Sequence, residues 1–242
     1  MIWLVILAGL ILAPDLALAQ PTDLSGILPQ GASASGRIIQ LVVLLTVLSV
    51  APGLLITITS FTRFAIALSF LRSGLGMQST PANMVVISLA LFMSFFVMTP
   101  TFNKAWEYGM KPLVENKISE MEAFERISAP FREFMLDHVR EKDVRLFEEM
   151  TRQPAPATKS EEISLQILIP AFMISELRRG FEIGFLIVLP FLVIDMIVSI
   201  VIMSMGMMML PPTTISLPIK ILFFVLIDGW NLLVGSLLRS YS

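Results

Sequence analysis

The chain has 242 residues, with 17 Lys and Arg against 19 Asp and Glu, one His and no Cys, for a formal net charge of −2. Those counts exclude disulfides, iron–sulfur clusters, thiolate metal sites and any multi-histidine metal centre, and the charge gives no general attraction to nucleic acid. Charged residues make up 15% and hydrophobic residues 55%, with mean hydropathy +0.81; soluble domains carry about 25% charged residues, so the composition is that of an integral membrane protein.

The chain opens on MIWLVILAGLILAPDLALAQ. Its apolar part is shorter than the roughly 20 residues that span a bilayer, and Ala17-Leu18-Ala19 has the small-x-small pattern of a signal-peptidase site. Residues 1–19 therefore read as a cleaved signal peptide rather than an uncleaved anchor. Residues 20–37, with their Pro, Gly and Ser, read as a flexible external leader.

Residues 38–103 read as a first pair of hydrophobic helices. Ile38–Thr62 holds 25 residues without a charge and carries Pro52-Gly53 near its centre, a pair that kinks or breaks a helix. Arg63 ends the run, and Arg63 and Arg72 are expected in a short cytoplasmic connection, as the positive-inside rule prefers. Ala82–Asn103 is the second uncharged run, 22 residues long, with Ser79-Thr80-Pro81 before it as a helix start.

Residues 104–162 differ in kind. This insertion is polar and mixes both charge signs, with Met121, Phe124, Ile127, Phe131, Phe134 and Met135 at helical spacing. Pro130 is expected to divide it into two amphipathic helices, with His138 as a solvated helix position. RQPAPATKSEE reads as a flexible linker, and the insertion as a whole is expected on the external, periplasmic side.

Residues 163–242 form the second hydrophobic region. Phe185–Pro211 carries one charge, Asp195, and Thr213–Leu238 carries two, Lys220 and Asp228. An ionised carboxylate in hydrocarbon is costly, so Asp195 is expected in a polar contact between helices or subunits. Lys220 and Asp228 are its candidate partners, since eight residues is just over two turns and places both on roughly one helix face. Pro52, Pro100, Pro170 and Pro190 lie in or beside apolar runs and imply bent or hairpin-forming helices. The stretch MSMGMMMLPP, residues 203–212, has five methionines in ten residues. Gly206 and Pro211-Pro212 imply a turn, so Met207, Met208 and Met209 are expected in a loop whose unbranched, adaptable side chains suit a deformable seal.

The expected fold is thus an all-α integral membrane protein: four long hydrophobic helices, kinked and hairpin-forming, with an amphipathic helical insertion. No enzyme pattern appears, neither GxSxG, HExxH, Walker A nor a Rossmann glycine run, and no cofactor is expected. A small-solute channel or transporter remains the competing class, without the internal repeat that would support it.

The run PAFMISELRRGFEIGFLIVLPFLVIDMIVSIVIMSMGMMMLPP, Pro170 to Pro212, resembles the signature region of the FliP family of type III export-gate proteins; its signature positions here are Pro170, Glu176, Gly180, Phe181, Gly184 and Pro190. TSFTRFAIALSFLRSGLG, PANMVVISLALFMSFFVMTP and ISLPIKILFFVLIDGWNLL match the family in order. The resemblance implies a helical ring, a pentamer of this chain with FliQ and FliR, working with FlhA and FlhB. It implies passage of unfolded flagellar subunits across the bacterial inner membrane at the flagellar basal body, with part of the assembly raised to the periplasmic side. It implies that Met207, Met208 and Met209 line and help close the pore. The signal peptide and leader resemble the flagellar branch more than the related virulence injectisomes.

Overall fold

The computed structural model describes residues 56–77, 83–151, 163–207 and 210–241, and single positions at 42, 45, 46, 49 and 53. The expected signal peptide, leader and linker, most of the first hydrophobic run, Ser79-Thr80-Pro81, and Met208 and Met209 lie outside the described residues. The chain divides into two compact units between Pro52 and Gly53. In the first, positions 42, 45, 46 and 49 are helical, and the Thr46 and Ser49 hydroxyls each donate to a carbonyl one turn back, at 2.7 Å.

In the second unit the described elements are helices. Helix α1 spans Phe61–Gly74 and ends in a Schellman motif. Gly76 has φ +75°, its N–H donates to the Ser73 carbonyl, and the Met77 N–H donates to Arg72; only glycine adopts that φ without strain. Helix α2, Asn83–Ala105, runs through a π-helical turn at Trp106–Met110 into the short α3, Lys111–Val114. The π-turn ends two residues before Pro112, whose ring would otherwise meet the carbonyl four residues back.

Helix α4, Glu120–His138, starts at Ser119, whose hydroxyl accepts the Glu122 N–H at 3.3 Å, half of a capping box. Pro130 does not divide this helix. The break comes after His138, where Val139 turns to extended backbone, and α5, Glu141–Thr151, follows.

Helix α6, Leu165–Ser204, is a single helix of 40 residues that passes through Pro170 and Pro190. At 1.5 Å per residue it is about 60 Å long, roughly twice a hydrocarbon core of ~30 Å. Its charges fall unevenly: Glu176, Arg178, Arg179 and Glu182 lie in the first half, whereas residues 183–204 hold only Asp195. The second half is therefore the part fitted to lipid. Helices α7, Pro212–Leu226, and α8, Gly229–Arg239, complete the unit.

Of the four expected hydrophobic helices, the first falls mostly outside the described residues. Among the described residues, two stretches are long and apolar enough to cross a membrane, Asn83–Val114 and Leu165–Ser204. The fourth hydrophobic run is not one helix: α7 and α8 meet at a 66° bend, and the pair adds a third span only if counted together. The cause is local, since Asp228 adopts a left-handed conformation, φ 51° and ψ 50°, that an α-helix cannot contain.

Helix α6 is the spine, with α1, α4, α5 and α7 packed on it. The α1–α6 contact is close because small residues face large ones in both directions. A Cβ on Gly184 would lie 2.6 Å from Phe70 Cγ, one on Gly180 3.1 Å from Ile66 Cβ, and one on Gly74 3.0 Å from Phe191 Cδ2. Small residues of this kind let membrane helices approach where no hydrophobic gain drives them together. The main core runs from Phe64, Leu68 and Leu71 of α1 through Ala90 and Met93 of α2 to Phe191, Phe224 and Leu237. A second cluster joins Met98, Phe134, Met135, Leu168 and Phe172, docking the insertion onto α6.

Candidate functional site: two ion pairs and an apolar turn

One polar cluster is deep inside the unit. Arg63, in the first turn of α1, is fully buried. Its Nε donates to Glu176 Oε2 at 2.9 Å, its Nη2 pairs with Glu176 Oε1, and its Nη1 donates to the Ser240 carbonyl at 2.9 Å. Glu176 is also fully buried and accepts from the Tyr241 hydroxyl. The Tyr241 ring lies under the guanidinium, 3.7 Å from its carbon, an arrangement of cation over aromatic face. Burial, and then the charge of Glu176, push the Tyr241 phenol well above its ordinary pKa.

Arg63, expected in a short cytoplasmic connection, is a core residue in the first turn of α1 with all of its fork engaged. His138 also departs from expectation. It is partly buried, with its ring 4.5 Å from Phe134 and 5.0 Å from Tyr241 and its Nδ1 2.7 Å from the Phe134 carbonyl. Glu176 was singled out as a signature position, but its pairing with Arg63 was missed. The available signal was weak: Arg63 lies among apolar residues, but Glu176 stands beside Arg178 and Arg179, and 113 positions of separation left nothing in the sequence to join Arg63 with Glu176.

The second pair is Asp195 with Lys220. Lys220 Nζ, on α7, reaches across to Asp195 Oδ2 on α6 at 2.5 Å and to the Gly74 carbonyl of α1 at 3.0 Å. One lysine therefore ties three helices, and it satisfies a carbonyl that the end of α1 leaves open. The Asp195 side chain is 34% exposed and that of Lys220 6%. Asp195 Oδ1 is buried without a hydrogen-bond partner. Asp228 does not share a continuous helix with Lys220; it stands at the break before α8, as that helix's N-cap residue.

A third polar contact fixes the insertion to α6. The Ser175 hydroxyl donates to Asp143 Oδ2 at 2.7 Å and accepts the Arg140 N–H at 3.1 Å, while Arg140 Nε donates to Asp143 at 2.9 Å. Burial works to raise the Asp143 pKa, but the Ser175 hydroxyl and the Arg140 guanidinium outweigh it and hold the carboxyl below its ordinary value.

The methionine stretch begins where α6 stops. Gly206 has φ +76° with open space around it; its N–H donates to Met203 at 3.1 Å and the Met207 N–H to Ile202 at 3.2 Å, a second Schellman motif. Pro212 then opens α7 at the first helical position, where its missing N–H costs nothing. Met203, Met205, Met207 and Leu210 are all exposed. Of the remaining signature residues, Gly180 and Gly184 form the small face of α6, Phe181 packs edge-on against Phe70 at 5.3 Å, and Pro170 and Pro190 lie within the helix.

The sequence model described as the FliP family matches residues 44–237. The chain is 57% identical over 243 residues to "Flagellar biosynthetic protein FliP" of Agrobacterium fabrum, covering 99% of both chains. It is 61% identical over 214 residues to the protein of that name from Rhizobium meliloti, covering 88% of this chain and 87% of the relative. With that of Bacillus subtilis it shares 53% identity over 203 residues, covering 84% and 91%. With a family match across most of its length and relatives this similar end to end, the chain belongs to the FliP family.

Proposed function

We propose that this chain is a subunit of the flagellar type III export gate in the bacterial inner membrane, where copies of it surround a pore for unfolded flagellar subunits. The observation that carries the reading is the exposed methionine turn at the lipid-fitted end of α6, held in shape by Gly206 and Pro212. A seal must close when empty and yield to a passing chain of variable shape. Unbranched thioether side chains on a glycine–proline frame can do both.

Exposed apolar faces support assembly. Phe92, Phe95 and Phe96 on α2 and Leu186, Val193, Met196 and Ile197 on α6 are exposed in the isolated chain, far more apolar surface than a soluble monomer leaves bare. Lipid and neighbouring subunits cover it, the latter as a closed ring of like copies, a pentamer, with FliQ and FliR alongside and FlhA and FlhB working with the gate. Asp195, Lys220 and Asp228 are assigned to contacts within and between subunits. The relatives carry the flagellar name, which favours the flagellar branch over the virulence one.

The test is to replace Met207, Met208 and Met209 with alanine in the assembled gate. The expected result is a leak of ions or small solutes through the resting membrane with the complex still assembled. Unchanged permeability in an assembled triple variant counts against the seal.

A further inference from the structure

Helices α6 and α7 pack on each other and are joined through the methionine stretch. Two contacts cross their seam in step. Phe191 of α6 meets Phe224 of α7 with ring centroids 6.3 Å apart, and Asp195 meets Lys220 at 2.5 Å. Asp195 follows Phe191 by four residues and Lys220 precedes Phe224 by four, about one turn on each helix. The two contacts therefore define one antiparallel register. The same step leads next to Ser199 and Ser216, and then to Met203 and Pro212, the two limits of the methionine stretch.

Packing alone specifies this register weakly. The other buried positions are apolar or small: Phe191, Val198 and Ile202 on α6, Ser216 and Phe224 on α7. A slide of one turn sets similar side chains against one another. The charges differ in this respect. Residues 183–204 hold no charge but Asp195, and α7 holds none but Lys220. A slip of one turn sets Lys220 against Ser199 or Phe191 and parts both charges from their partner, the costly outcome for ions set among apolar side chains. Lys220 also donates to the Gly74 carbonyl at 3.0 Å, which ties the register to the end of α1.

We infer that Asp195–Lys220 is the register key of the α6–α7 seam, and that it positions the methionine turn by fixing which residues close it. A single polar contact in an otherwise apolar helix seam fixes register at a cost in stability. The key specifies where the turn begins and ends more than it holds the two helices together. Its consequence for sealing rests on the reading of that turn as the seal of the gate; the register itself does not.

The chain has no cysteine, so engineered pairs report register without background. In the full-length chain assembled in membranes, Ser199→Cys with Ser216→Cys reads the register described above. Met203→Cys with Ser216→Cys reads a slip of one turn. Each pair is mildly oxidised, and a disulfide forms only at Cβ separations of about 4 Å. The parent is expected to link 199 with 216 and to link 203 with 216 only weakly. With Asp195→Leu and Lys220→Met introduced together, the ratio of slipped to native product rises about tenfold. The complex still assembles, since apolar side chains can replace an ion pair without loss of stability. Asp195→Glu keeps the parent ratio. An unchanged ratio in the double variant overturns the inference, as does a predominant 203–216 product in the parent. If the double variant fails to assemble, Asp195→Asn gives the same reading with a smaller rise, and an unchanged ratio there also overturns the inference. Permeability of the resting membrane, measured in the same variants without the cysteines, separates the two claims. A shifted ratio with no leak keeps the register key and counts against the seal; a leak with an unshifted ratio overturns the key.

Discussion

The two ion pairs of the α1–α6–α7 contact share chemistry and differ in setting. Arg63–Glu176 is fully enclosed, bidentate, and closed over by Tyr241 and Ser240. Asp195–Lys220 is a single contact beside a polar cleft, with a third of the Asp195 side chain open and Oδ1 unpartnered. Enclosing two charges costs several kcal/mol per ion, which only excellent geometry and additional hydrogen bonds offset. The first pair has both; in the second, partial exposure spares Asp195 some of the cost, while Lys220 is buried and Asp195 Oδ1 stays unsatisfied. The enclosed pair is therefore a brittle fixture of the fold, and the open one a contact that can change partners.

Four changes break or sharpen that contrast. The largest effect belongs to Glu176→Gln, which strands a buried guanidinium and is expected to lower stability by about 3–5 kcal/mol. The check is thermal unfolding of the purified complex in detergent. Replacing both Arg63 and Glu176 by Met restores most of the loss if the pair acts as a unit. If the double variant unfolds as early as the single, the cost lies elsewhere.

Next comes the frame that brings α1 and α6 together. Gly184→Ala pushes a methyl into the Phe70 ring and is expected to cost about 1–3 kcal/mol. Protease resistance of the α1–α6 region in membranes reads it, and an unshifted profile means that Phe70 swings aside. Asp195→Asn is smaller, about 1–2 kcal/mol, because Lys220 keeps the Gly74 carbonyl and the cleft admits water. A loss equal to that of Glu176→Gln would erase the distinction between the two pairs.

The smallest effect is a pH dependence at the third polar contact. The Asp143 carboxyl is held below its ordinary value in the folded chain. Its stabilising contribution is therefore complete above the unfolded carboxylate value, about 3.9, and is lost as pH falls through the lower folded value. Unfolding midpoints of the parent and Asp143→Asn, compared from pH 7 to pH 3, are expected to converge only below about pH 4. A gap that stays constant down to pH 3 would assign the effect to lost hydrogen bonding alone.

Helical class, membrane character and the turn at Gly206–Pro212 were legible because each is written in neighbouring residues: apolar runs, their periodicity, and the conformational limits of glycine and proline. The resemblance of Pro170–Pro212 carried the family in the same way. Pro130 misled because one missing N–H is tolerated within a helix held by its packing, and the fourth run misled because hydropathy does not register the left-handed Asp228. By itself, then, the sequence determined where helices form and which segments avoid water. Tertiary structure alone decided which charges meet. Arg63 meets Glu176 where Gly180 and Gly184 fit closely to α1, and Lys220 meets Asp195 and the Gly74 carbonyl where α7 packs on α6. A pairing across 113 residues is a property of that fit, and no local pattern encodes it.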